Sequence, residues 1–367
     1  MSMLVQAPTE ELTRLCNSQN RSHRPLYYPW FDWLRLLLAC VVLFGHEGLI
    51  GWRNSGNFSV QVFFALSGWL IGGQLVTLPA QQLPRFYFNR ALRIWGPYFL
   101  AVSVLLATSA VREHITKTWV ETAFYDFTSV FNFFGLSQNA QFQKATPLHG
   151  TGGHFWSVNA EEQFYLLAPL ILVLLPSRYG RRIITWVCIA FVAWVSRCYA
   201  SIVFGVLAAV LANRYGEFHT RRISRIGCGL MVTISAVCFA KHAGYDFVAP
   251  ACAISLVLLL AIRGKRHPGG ELAAGISYPL YLNAWIGVFA VNALFKHFRF
   301  GSLLAHEALI LILSITLAAF LYWFVDRQLI ARRNQLYSPR VARATMFVAY
   351  GTVTLGVIGG LLLLARR

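Results

Sequence analysis

Apolar and polar positions in this chain are sorted into blocks. Long apolar runs alternate with short basic clusters, with candidate spans at 34–52, 58–78, 94–111, 156–176, 183–196, 199–213, 226–241, 247–262, 275–295, 303–325 and 345–364. A helix of about 20 apolar residues crosses the hydrocarbon core. The pattern therefore predicts an all-α integral membrane protein, a polytopic bundle of about 10–11 transmembrane helices. The two runs between Ile183 and Asn213 are short for a bilayer. They are either broken or tilted helices, or one long helix that leaves ten spans. Three zones are expected: a cytoplasmic tail at 1–30, a membrane domain at 31–330, and a basic segment with a final helix at 331–367. The polar first thirty residues do not form a signal peptide.

Composition agrees with the pattern. The chain is 57% hydrophobic and 13% charged, and a soluble domain carries about twice that share of charge. The net charge of +18 could suggest nucleic acid, but the cations lie in the short loops between apolar runs, so membrane lipids are the expected partner and nucleic acid is not. With the N-terminus inside, the inner loops hold Arg14, Arg21, Arg24, Arg85, Arg90, Arg93, Arg178, Arg181, Arg182 and the later clusters around Arg222, Lys265 and Arg333. These loops carry roughly twice the Lys and Arg of the outer ones, as the positive-inside rule requires.

Arg35 and His46 are separated only by apolar residues and Gly. Eleven helical steps return to within roughly 20° of the starting direction and advance about 16 Å. The two side chains thus share a face, and a span over 34–52 puts Arg35 near one surface and His46 near the midplane. An ionisable group at that depth marks a functional site, unless His46 is a structural residue bonded to a neighbouring helix. Arg90 and Arg93 stand at i, i+3 and face the same way. Two guanidinium forks suit phosphate oxygens, and equally an anchor on anionic lipid. In the segment His154-Phe-Trp156-Ser157-Val-Asn-Ala-Glu161-Glu162-Gln-Phe164-Tyr165, Glu161 shares a face with Tyr165. It could orient a histidine, bind sugar hydroxyls, or cap the span. His149 and His154 read as loop residues, and Ser67-Gly68 as a close helix contact. No metal site is indicated, because no CxxC pair occurs.

In order along the chain, Arg35-x10-His46, the FFALSGWLI run, Arg90-x-x-Arg93 with Pro97, WSVNAEEQFY, Ser277-Tyr278-Pro279-Leu280-Tyr281-Leu282 and Phe324-Val325-Asp326-Arg327 resemble the motifs of the acyltransferase 3 family of integral membrane acyltransferases. The resemblance runs from about Tyr28 to Asp326. It implies transfer of an acyl group, most often acetyl from acetyl-CoA, to a carbohydrate hydroxyl, with no permanently bound cofactor. Arg35, Arg90 and Arg93 would hold the acyl-CoA phosphates. His46 would act as general base or acyl relay, and Glu161 would orient His46 or the acceptor. The acceptor would be a lipid-linked or growing polysaccharide or oligosaccharide outside the bacterial inner membrane, with the N-terminus cytoplasmic. The chain departs from the family where Asn283, Ala284 and Trp285 stand in place of a common histidine, and at Asp326, Gln328 and Trp69. It ends soon after its last span, so no fused esterase-like domain is expected. A succinyl or other acyl donor, a proton-coupled transporter using His46 and Glu161, and a silent scaffold are the rival readings.

Overall fold

The computed structural model describes residues 27–136, 138–298 and 302–366. The expected tail at 1–30, apart from residues 27–30, lies outside them, as do Arg14, Arg21, Arg24, Arg299 and Arg367. Among the described residues there is no strand, and each expected apolar run is helical: α1 (Pro29–His46), α2 (Ser55–Thr77), α3 (Leu83–Arg112), α4 (Trp156–Pro169), α5 (Ile183–Val195), α6 (Ala200–Tyr215), α7 (Arg222–Ala240), α8 (Tyr245–Leu260), α9 (Pro268–Phe298), α10 (Leu303–Leu321) and α11 (Pro339–Ala365). A π-helical turn extends α4 over Leu170–Leu174, and another extends α10 over Tyr322–Asp326.

Seven of these helices are long and apolar enough to cross a membrane: α1, α2, α3, α7, α9, α10 with its extension, and α11. α5, α6 and α8 are apolar but shorter; thirteen residues of α5 rise only about 20 Å. The uncertain segment 183–213 is two helices, not one. The chain reverses between Val195 and Ala200, where Arg197 (φ 55°) and Tyr199 (φ 54°) take left-handed conformations that end a right-handed helix.

Two backbones meet at the centre of the bundle. A Cβ on Gly68 of α2 would lie 2.0 Å from the Ile202 carbonyl oxygen, and one on Gly205 of α6 would lie 2.3 Å from that of Ala65. Only glycine permits this approach, and small residues are how membrane helices gain contact when the solvent itself is apolar. The α7 helix shows the opposite environment. It buries only Ser235 and leaves Ile223, Ile226, Leu230, Ile234 and Val237 outward, a surface suited to lipid.

The long segment after α3 is more than a loop. Short helices at Lys117–Phe127, Phe131–Phe134 and Ala140–Ala145 and a left-handed turn at Pro147–Gly150 fold into a cap around buried Tyr125, Val130, Phe131, Phe134 and Phe142, packed on Trp156 and on Val353 and Val357 of α11. The last helix is tied into the bundle as well: the Tyr350 hydroxyl donates to the Leu166 carbonyl at 2.8 Å and lies 2.7 Å from the Tyr87 hydroxyl.

The first helix corrects an expectation. α1 begins at Pro29 and closes at His46. Its 18 residues rise about 27 Å, which puts Arg35 roughly a third of the way in and His46 at the far end. His46 is exposed, not at mid-depth. Gly48, at φ 74°, supplies the left-handed turn that stops the helix.

Candidate functional site

A cavity of about 990 Å³ opens between α2, α3, α4, α6 and α9. Arg35, Arg90, Arg93 and Glu161 all line it, so four of the five candidate residues converge although they come from three helices. His46 does not line it.

Helical periodicity explains the convergence. Arg90 and Arg93, one turn apart near the start of α3, both reach the cavity. On α4, Ser157, Glu161 and Tyr165 recur every four residues and form one wall. Glu161 is past the first turn of α4, so it does not cap the helix. Its Oε1 accepts hydrogen bonds from the Ser67 hydroxyl of α2 and the Tyr165 hydroxyl. Those two bonds fix the carboxylate, and Glu161 thus stands within electrostatic reach of two of the arginines, Arg35 and Arg90.

The arginines are held but not saturated. Arg35 reaches Asp32 Oδ1 at 3.5 Å, and Asp32 also accepts from the Tyr27 hydroxyl. Arg90 donates Nη2 to Gln74 Oε1 at 3.0 Å, lies 5.6 Å from the centres of the Phe86 and Tyr165 rings, and keeps a buried Nε without a partner. Arg93 is exposed, with buried Asp326 close enough to act on it electrostatically. At this end three guanidinium groups face the cavity against the single carboxylate of Glu161. The guanidinium groups on the wall, with the Arg90 Nε–H still free to donate, suit an anion with several oxygens.

Part of the cavity wall carries hydroxyls. Ser157 Oγ and the Tyr281 hydroxyl, both lining residues, are 2.6 Å apart. Tyr281 donates to the His154 carbonyl at 3.0 Å, and its ring meets the His154 imidazole edge-on at 5.5 Å. His46 is within electrostatic reach of His154. His154 is a half-buried packing residue here, whereas His149 is exposed beside Glu113 at 3.5 Å.

The sequence reading missed Gln74, Tyr281 and the bond from Ser67 to Glu161. Ser67 stands next to Gly68, and the close α2–α6 contact expected there is present. Its hydroxyl, however, serves Glu161 across 94 positions of chain. Among the described residues no group of three or more His, Cys, Asp or Glu side chains is arranged to hold a metal ion.

The family model described as "Acyltransferase domain" matches residues 28–323. The peptidoglycan O-acetyltransferase OatA of Listeria monocytogenes is 31% identical over 152 residues, covering 40% of this chain and 24% of its own length. The O-acetyltransferase OatA of Staphylococcus aureus is 29% identical over 179 residues, covering 47% of this chain and 29% of its own length. The chain thus spans about a quarter of the length of the curated relatives it matches. No solved structure matches.

Proposed function

The chain belongs to the family of membrane acyltransferases matched over residues 28–323, and from that premise we propose that it moves an acyl group, acetyl from acetyl-CoA, to a hydroxyl of a bacterial cell-wall or exported polysaccharide or oligosaccharide. The observation that carries the donor is the cavity with Arg35, Arg90 and Arg93 on its wall and the Arg90 Nε–H unused, a surface for phosphate oxygens. The names of the relatives, both O-acetyltransferases and one of them acting on peptidoglycan, support the acceptor.

In this reading the CoA phosphates sit among the arginines, and the pantetheine arm points past Tyr281 toward His46, about 16 Å along α1 from Arg35 by the helix rise. The acceptor approaches from the His46 end. Its hydroxyl oxygen attacks the thioester carbonyl carbon while the His46 imidazole takes the hydroxyl proton. The new C–O bond forms, the C–S bond breaks, and the CoA thiolate leaves and is reprotonated by His46. Glu161 keeps the arginines in register. The arginine end faces the cytoplasm of a bacterial inner membrane, in keeping with the basic inner loops.

The test is a double Arg90→Lys, Arg93→Lys variant in sealed, oriented vesicles. Lysine keeps the charge and loses the bidentate fork. Affinity for acetyl-CoA should fall about tenfold or more with topology unchanged, and wild-type protein should acetylate a glycan confined to the face opposite the donor. Donor binding unchanged in the double variant would overturn the assignment of the arginines.

A further inference from the structure

The cavity runs from the arginines to a second polar group, where the chain enters α1 and leaves α6 and α8. Tyr28, Trp69, Asn213, Glu217, His219 and Arg263 line this mouth. His219 is 4% exposed. Its Nε2 lies 3.0 Å from the Ala261 carbonyl oxygen. A carbonyl only accepts, so Nε2 carries the hydrogen, and Nδ1 of the neutral ring is an acceptor. That Nδ1 is buried and has no partner, an omission that calls for an explanation. Burial lowers the His219 imidazole pKa, so the Nδ1 lone pair is available at neutral pH. The Trp69 indole stands edge-on to the imidazole at 5.2 Å. Arg263 pairs with Glu217 and stands close to Tyr28, and with half its side chain exposed it remains open to an incoming anion.

These groups suit a ligand with a planar ring, a hydrogen-bond donor on that ring and a phosphate nearby. An adenine carries such a donor on N6. Building on the acyl-CoA reading, we propose that the mouth binds the adenosine 3′-phosphate end of the donor, with Arg263 on the 3′-phosphate and His219 Nδ1 accepting from the adenine amino group. Glu217 then acts as a counter-ion that the phosphate displaces. The arginines deeper in the cavity are left for the diphosphate, so the donor lies along the whole cavity with its thioester innermost.

The test compares acetyl-CoA with acetyl-(3′-dephospho)-CoA for binding to the purified full-length protein. Wild type should prefer acetyl-CoA about tenfold or more, the scale of one charge-assisted phosphate contact. Arg263→Gln should erase that preference by weakening acetyl-CoA alone. Glu217→Gln, which frees Arg263, should hold or tighten acetyl-CoA. His219→Phe should weaken both donors alike. Equal wild-type affinity for the two donors would overturn the subsite and leave the acyl-CoA reading standing. Binding of neither donor would overturn both. The wild-type comparison decides the matter even if a variant fails to fold.

Discussion

Two faces of α4 put the same kinds of side chain to opposite uses. Asn159 and Gln163 point toward the cap, and their hydrogen-bonding capacity is consumed. Asn159 is fully buried, accepts from the Phe131 N–H at 3.0 Å and donates to the Tyr98 hydroxyl at 2.7 Å. Gln163 and Asn132 exchange amide bonds at 2.8 and 2.9 Å, and Gln163 also reaches the Ser129 carbonyl at 2.7 Å. Ser157, Glu161 and Tyr165 line the cavity, where Arg90 keeps an unpartnered nitrogen. A polar group that is satisfied within the chain stabilises the fold, because undoing it leaves buried partners stranded. One with spare donors is available to a ligand. On α4 the contrast lies in where the bonds go, into the cap for Asn159 and Gln163 and along the cavity wall for Glu161.

Substitutions on the two faces should therefore fail in different ways. The largest effect is expected from Glu161→Gln. It keeps the shape but removes the carboxylate that faces the arginines, and acyl transfer should fall about a hundredfold or more with an unchanged melting temperature. A variant that melted early instead would make the cavity wall structural and break the contrast. Next comes Asn159→Ala, which strands the Phe131 N–H and frees the Tyr98 hydroxyl. Thermal or denaturant unfolding should show a loss of about 2–6 kcal/mol, from two buried groups at about 1–3 kcal/mol each, while the protein that remains folded turns over normally. Lost turnover at full stability would move Asn159 to the functional side.

The smallest effect sharpens the comparison at the rim of the cap. Glu113 Oε2 accepts from the Ser109 hydroxyl at 2.5 Å and the Leu148 N–H at 3.0 Å. It thereby ties down Leu148 and His149, whose φ values of 51° and 54° are left-handed and strained. Burial pushes the Glu113 carboxyl up, but the bonds from Ser109 and Leu148 and the charges of His149 and Arg112 outweigh it and leave the pKa below the usual carboxylate range. A carboxyl lowered in the folded state adds stability above its unfolded pKa and loses it as the pH falls through the folded one. Proteolysis at Leu148–His149 should accordingly rise for wild type as the pH falls below the usual carboxylate range, whereas Glu113→Gln should be more susceptible at neutral pH and flat with pH. Equal acid sensitivity in the two proteins would remove Glu113 from the anchor.

Helix spacing made much of this legible in the sequence. The i, i+3 arginines and the Glu161–Tyr165 pair each share a face for reasons of geometry alone, and the structure brings them together at one cavity. Partners across helices were not legible, because periodicity fixes which way a side chain points and not what it meets. The bonds from Ser67 to Glu161 and from Arg90 to Gln74 are of that kind. The end of α1 carried a usable signal in Glu47-Gly48, but the apolar residues after it extended the expected span to 52 and misplaced His46. The cap was missed because its apolar pieces, such as Phe131–Phe134, are too short to show a period.

The glycine contact between α2 and α6 also bears on stiffness. Side chains can change rotamer and let a helix slide, but two backbones in contact have nothing to rearrange and no slack to give. α2 and α6 therefore move as one strut, and the cavity wall that carries Ser67 and Gln74 is the fixed jaw. Any widening that admits a bulky donor falls to the opposite jaw, α3 and α9, which carries Arg90, Arg93 and Tyr281. Arg90 and Arg93 ride on that side while Arg35 sits on α1 and Glu161 is bonded to Ser67, so such an opening would reset the spacing of the positive charges.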